Sequence, residues 1–337
     1  MRTFGLLVLV VLAAVCLGCA GAEKKEEPPA QDLAMQALRK ACLQEQGDNQ
    51  ENACRKLLRL HPKDPQVEHR LGWLLSSRGK AGVPEGVAHL RRASSLQPDN
   101  PEIWFHLGTS LEKRQDTGGA QQAYLKALKL KPDYNEVRVA RGILLRKTGD
   151  KEGAHRVLEE VVKLDPKSAT GWAQLSLTLA KLNRLAEAID AGLKAVELEP
   201  DDDNARSNLG LFMTNAGRAD EGIEQLQKAV KLNPQNSTAL YNLGLAFTKT
   251  DALEEAVRAY SQALRVEEKF PEAHHNLAVT LIGLGLCRES KRHFERSSEM
   301  GIKSVPIVVK QYKAMCEPPE EEPEAQPEEP AKKPSGT

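Results

Sequence analysis

Residues 203–236, DNARSNLGLFMTNAGRADEGIEQLQKAVKLNPQN, and residues 237–270, STALYNLGLAFTKTDALEEAVRAYSQALRVEEKF, superimpose without a gap. Asn208-Leu209-Gly210 falls on Asn242-Leu243-Gly244, and Ala229 falls on Ala263. Self-similarity at a short fixed period marks a chain built one unit at a time. Working outward, Pro98, Pro132, Pro166, Pro200 and Pro234 recur every 34 residues. The same offset aligns Gly108, Gly142, Ser176, Gly210, Gly244 and Ala278, and also Ala120, Ala154, Ala188, Gly222, Ala256 and Ser290. Small residues at fixed places let two helices approach closely while large ones fill the spaces between ridges. The expected contact is between the small residue at position eight and the small residue at position twenty. Position fifteen holds Gly149, Asn183, Gly217, Asp251 and Gly285, residue types suited to a helix-ending bend.

These columns resemble the tetratricopeptide repeat, whose pattern places Trp, Leu-Gly, Tyr, Ala, Phe and Pro at such spacings. Trp104 and Trp172 occupy its early aromatic place. The resemblance implies an all-α solenoid of antiparallel helix pairs. Seven repeats are expected at 65–100, 101–134, 135–168, 169–202, 203–236, 237–270 and 271–304, preceded by a degenerate pair over 31–64. The repeat at 65–100 carries two extra residues, expected in the bend from Gly79 to Pro84. Ser304 to Cys316 reads as a capping helix, with Val305, Ile307, Val308 and Tyr312 covering the last repeat, since solenoid ends need a cap for solubility.

The remaining composition agrees with a folded body between two unfolded ends. Of 337 residues, 40% are apolar and 4% aromatic, and 47 basic residues balance 47 acidic ones. That balance excludes a strongly basic nucleic-acid binder. Phe4 to Leu17 is an apolar run too short to span a membrane, and reads as an export signal over residues 1–18. Val15-Cys16-Leu17-Gly18-Cys19 resembles the lipobox of bacterial lipoproteins, although Cys16 stands where that family prefers Leu. The resemblance implies cleavage before Cys19 and a lipid anchor on it. Residues 19–31 read as a tether and 317–337, rich in Pro and Glu, as a disordered tail. Setting both ends aside leaves the body at about +5.

Cys42, Cys54, Cys287 and Cys316 remain, and four cysteines allow three connectivities. In the repeat frame Cys42 and Cys54 flank one bend, while Cys287 begins the last second helix and Cys316 ends the capping helix. The expected pairs are Cys42 with Cys54 and Cys287 with Cys316; the alternative is four thiols buried as small hydrophobes.

The first helices of such repeats line a concave face, on which positions six and thirteen share a stripe. Position six reads His106, Ala140, Gln174, Asn208, Asn242 and Asn276; position thirteen reads Lys113, Lys147, Lys181, Asn215, Lys249 and Gly283. Asn and Gln offer a donor and an acceptor together to a peptide backbone, and Lys favours carboxylates or anionic polymers. The Asn208, Asn242, Asn276 series resembles the asparagine ladder of the repeats attached to the O-linked N-acetylglucosamine transferase, which implies a grip on peptide. Tyr241, Phe105 and His275, at position five, would add apolar contacts or pack into the neighbouring repeat. The alternative for both columns is consensus packing and solvated helix ends.

The sequence shows no metalloprotease helix, phosphate loop, dinucleotide fingerprint or nucleophile elbow. His274 and His275 are adjacent, so on a helix they point apart. The expected protein is therefore no enzyme and carries no cofactor or metal, and neither nucleic acid nor a small-molecule substrate is among its expected partners. Its expected role is a membrane-anchored scaffold at the outer membrane, facing the periplasm and binding other cell-envelope proteins. By analogy, similar lipoproteins assemble pilus secretins, motility complexes or cell-wall enzymes. An adaptor for an anionic glycan or cell-wall polymer is the second reading, motivated by the lysines.

Overall fold

The computed structural model describes residues 30–44, 49–302, 310, 312 and 314–316. The export signal, Cys19, the tether and the acidic tail lie outside these residues, as do Val305, Ile307 and Val308 of the expected cap. The chain divides between Leu130 and Lys131 into two compact units, and in each the secondary structure of the described residues is helical.

Among the described residues the first unit contains three helix pairs: α1 (Ala30–Leu43) with α2 (Asn49–Leu60), α3 (Pro65–Ser77) with α4 (Val83–Leu96), and α5 (Pro101–Lys113) with α6 (Thr117–Leu130). A single 3-10 turn, Lys80–Gly82, sits in the bend between α3 and α4. The described residues of the second unit form five: α7 (Asn135–Lys147) with α8 (Lys151–Leu164), α9 (Ala169–Lys181) with α10 (Leu185–Leu198), α11 (Asp203–Asn215) with α12 (Ala219–Leu232), α13 (Ser237–Lys249) with α14 (Leu253–Val266), and α15 (Pro271–Gly283) with α16 (Cys287–Glu299). Beyond α16, residues 310, 312 and 314–316 are again helical.

Local chemistry starts and stops these helices. The side chains of Asp64, Asn100, Ser168, Asp202 and Asn236 accept from backbone N–H groups at the starts of α3, α5, α9, α11 and α13. Each satisfies a donor with no partner inside the helix. The bends within the six pairs from α5–α6 onward share one conformation: residues 115, 149, 183, 217, 251 and 285 all have positive φ. Three of them, Gln115, Asn183 and Asp251, are not glycine. Position four supplies a further tie. Trp104 Nε1 donates to Pro98 O at 2.9 Å, Trp172 Nε1 to Pro166 O at 3.0 Å and Arg206 Nε to Pro200 O at 2.7 Å. His274 Nε2 makes the same reach, to Glu268 O at 3.1 Å. The early aromatic place is thus a hydrogen-bond anchor that folds the connecting loop back onto the helix it precedes.

Packing obeys the small-residue columns, and position twenty-four adds to them. A Cβ added to Gly108 would meet the ring of Tyr124 at 2.5 Å, and one on Gly142 would meet Leu158 Cγ at 2.7 Å. The expected contact between positions eight and twenty is present, as where Ser176 Oγ donates to Ala188 O at 2.6 Å and Ser290 Oγ to Ala278 O at 3.0 Å, and the same notch also seats the large side chain at position twenty-four. Position twenty contributes its backbone, as at Gly210, where an added Cβ would lie 2.7 Å from Gly222 O. Within the second unit, Leu158, Leu175, Leu179, Ile189, Leu209, Phe212 and Met213 form one continuous core. In the first unit Cys42, Cys54, Leu57, Val67 and Leu71 form another.

Cys42 and Cys54 are joined by a disulfide with Cα atoms 4.8 Å apart, and Cys287 and Cys316 by one at 5.2 Å. The first pair is fully buried across the α1–α2 bend. The second holds the helical segment that ends the described chain, where the Tyr312 ring also meets Phe294 edge-on at 6.1 Å.

Candidate functional site

In the second unit the first helices of neighbouring pairs touch one another: α7 meets α9, α9 meets α11, α11 meets α13 and α13 meets α15. Their exposed sides share one face. Position nine places an aliphatic column on these helices, Ile143, Leu177, Leu211, Leu245 and Val279, each half-buried, with Leu177, Leu211 and Leu245 packed in part against the core beneath. Aliphatic residues on a helix read first as core, so the sequence by itself does not single this column out.

Position six borders the column and is more engaged than the expected free ladder. Asn242 is only 3% exposed, and its Nδ2 donates to Ser207 Oγ at 3.1 Å on the preceding first helix. It is therefore removed from the set of groups that could grip a peptide, because its amide is buried in the seam between repeats. Asn276 Nδ2 donates to the Tyr241 hydroxyl at 2.8 Å, and Gln174 Oε1 accepts from Arg146 at 2.8 Å. Asn208, Gln174 and Asn276 remain half-buried. Tyr241 packs between the rings of Tyr260 and Phe270, with centroids 5.8 and 4.9 Å away. Burial raises its phenol above the ordinary value, and Glu272 adds to the rise.

The lysines at position thirteen are exposed, and two of them tie neighbouring repeats together. Lys249 Nζ donates to Asn215 Oδ1 at 2.9 Å and to Thr214 O at 3.4 Å. In the first unit Lys113 Nζ donates to Ser76 O at 3.0 Å and lies 5.8 Å from the Trp73 ring. Each reaches the carbonyl end of the preceding first helix, where positive charge is favoured by the helix dipole. Lys147 and Lys181 stand in the last turns of α7 and α9, so the same dipole favours them.

The first unit holds a second arrangement, one that sequence reasoning missed. His69 on α3 and His106 on α5 face each other, Nε2 to Nδ1, at 2.7 Å. Trp73 stacks on His106 with centroids 4.2 Å apart and planes 15° apart. Burial holds His69 below the ordinary imidazole range; it brings His106 down to about 4, with His69 and Arg70 pushing the same way. Both rings are therefore neutral at pH 7. Glu102, at the start of α5, completes a group whose ligand atoms all lie within 4.8 Å of one another. The two histidines are 37 residues apart, because the repeat at 65–100 is two residues longer and they occupy positions five and six. No alignment on 34 brings them together. His274 and His275 do diverge; His274 Nδ1 instead meets His293 Nδ1 at 2.8 Å.

Stacked helix pairs with a lined first-helix face define a tetratricopeptide-repeat scaffold. Residues 24–281 match the family described as the C-terminal domain of cilia and flagella-associated protein 70, and the chain belongs to that family. The chain is 32% identical over 76 residues to the probable biofilm formation methyltransferase WspC of Pseudomonas putida, a stretch covering 23% of this chain and 18% of that protein. It thus spans less than a fifth of that relative. Among solved structures, the Cut9 and Hcn1 hetero-tetramer of the APC/C is 16% identical, with a TM-score of 0.62 over 91% of this chain and 59% of that one. That likeness shows the fold. The MamA protein is 29% identical over 51% of this chain and 94% of its own, with a TM-score of 0.45.

Proposed function

We propose that the chain is a non-catalytic scaffold, anchored to a membrane through Cys19, whose second unit binds an extended segment of another cell-envelope protein. The observation that carries the binding reading is the half-buried aliphatic column from Ile143 to Val279, bordered by Gln174, Asn208 and Asn276 and by the exposed lysines 147, 181 and 249. An extended peptide laid across first helices would bury alternate apolar side chains on the column and offer its backbone to the amides. The lysines would favour a segment carrying carboxylates. The anchor rests on the lipobox-like residues before Cys19. Among the described residues no helix is long and apolar enough to cross a membrane.

The test is in-cell cross-linking and partner identification with wild type and with Leu177→Ser/Leu211→Ser. The partner should be lost from the variant while its helical content is kept. Equal capture by the folded variant would remove the column from the account. In parallel, Cys19→Ala should shift the protein from the membrane fraction to the soluble one.

A further inference from the structure

We infer that the first unit binds a divalent transition-metal ion of the Zn2+ class between α3 and α5, on His69 Nε2, His106 Nδ1 and the Glu102 carboxylate. Two imidazoles and one carboxylate form a donor set suited to Zn2+, with the remaining coordination positions left to water or to a ligand's carboxylate. The three ligand atoms already lie within 4.8 Å of one another. Two nitrogens on one ion at about 2.0–2.1 Å stand roughly 3.0–3.4 Å apart. The present 2.7 Å separation therefore opens by about half an ångström, a change within the reach of side-chain torsions.

The surroundings favour a built site over a chance pairing. The rings line a cavity of about 450 Å³ with Gln66, Arg70, Trp73, Asn100 and Glu102, so the ion has room and an entry path. Trp73 fixes the His106 ring by stacking. Glu102 is exposed, and can swing onto the ion from the solvent side. Two neutral imidazoles carry one proton each, and one of those now sits between Nε2 and Nδ1. When the ion takes that place, the donating ring adopts its other tautomer, with the proton on its far nitrogen, so the pair releases no net proton. Arg70 is the opposing charge, since its guanidinium acts on both rings. Glu102, acting on His69 in the opposite sense, offsets it. Because the ligands come from successive first helices, the ion would tie the second helix pair to the third.

The full chain, purified without a histidine tag and stripped with chelator, is titrated with ZnCl2 by calorimetry and with CoCl2 by visible absorption. One ion per chain should bind, giving Co2+ d–d bands and a higher melting temperature. His69→Asn/His106→Asn removes both nitrogen ligands and should abolish saturable Zn2+ binding, and Glu102→Gln should weaken it by at least about tenfold. Glu102 is exposed, so its variant keeps the proposal testable even if the histidine pair proves necessary for folding. Undiminished binding in His69→Asn/His106→Asn, loss of binding in His274→Asn/His293→Asn, or no saturable binding to wild type would overturn the assignment.

Discussion

The ring of Tyr260 occupies the notch left by Gly244: a Cβ at that glycine would lie 2.5 Å from Cε1 and 2.6 Å from Cδ1. Tyr260 is fully buried there, with its hydroxyl 3.2 Å from Thr248 Oγ1. Gly244→Ala must push the ring out or part α13 from α14, and overpacking of this kind costs about 1–3 kcal/mol. Gly118, on α6, has nothing within 4 Å of an added Cβ. Urea unfolding should show Gly244→Ala destabilised and Gly118→Ala unchanged or slightly more stable, since alanine is the better helix former. Equal effects at the two sites would mean that the notch does not govern packing.

Burial of Tyr124 and Tyr260 makes the fold sensitive to alkali. Burial raises both phenols above their ordinary value near 10, and Glu112 beside Tyr124 adds to the rise there. A group whose folded pKa is raised contributes stability that is complete below the unfolded value and is lost as pH climbs toward the folded one. Each tyrosine should therefore cost about 1.4 kcal/mol of stability per pH unit above about 10. Tyr124→Phe/Tyr260→Phe should be less stable than wild type at pH 8, having lost two hydroxyl hydrogen bonds, yet fall less steeply between pH 10 and 11. Parallel stability curves for the two proteins across that range would refute the assignment.

Gln115 bends the chain between α5 and α6 with φ at 64°. Left-handed backbone is unfavourable for a residue with a Cβ, by about 1–2 kcal/mol, and glycine escapes that penalty at some entropic cost. Gln115→Gly should therefore raise stability by about 0.5–1 kcal/mol net. Asn183→Gly should gain less, because asparagine tolerates this conformation better. The comparison is a shift in urea midpoint at constant slope.

The helix-pair architecture was legible because close backbone approach restricts a few places per unit to Gly, Ala or Ser, and those places recur at a constant spacing. Gln115 escaped notice at position fifteen because glutamine carries no turn signal; its conformation is imposed by the packing of α5 on α6. The fate of Asn242 was illegible for another reason. Whether its amide faces solvent depends on Ser207 at position five of the preceding unit, a relation that crosses repeats. His69 and His106 were hidden by the longer repeat at 65–100, which moves their separation off the period. The structure meanwhile gives position four, read as an aromatic consensus place, a physical role: Arg206 and His274 make the same loop-anchoring bond as the two tryptophans.

The two disulfides should differ in how readily they open and in which helices loosen once they do. Cys42 and Cys54 are fully buried, whereas Cys287 and Cys316 are partly exposed. Thiol exchange needs access to a sulfur, so mild reductant and then an alkylating agent should label Cys287 and Cys316 first. The loops they close span 12 and 29 residues, for which chain entropy gives about 3 and 3.5 kcal/mol of stabilisation. Repeat arrays are held by neighbouring contacts, so each loss should be felt mainly at its own end. Cys42→Ser/Cys54→Ser should speed hydrogen exchange in α1 and α2, and Cys287→Ser/Cys316→Ser should do so in α16 and the segment after it, with α9 to α12 protected in both. Uniform loss of protection along the second unit in the latter variant would show that the terminal pair supports the whole unit rather than its own end.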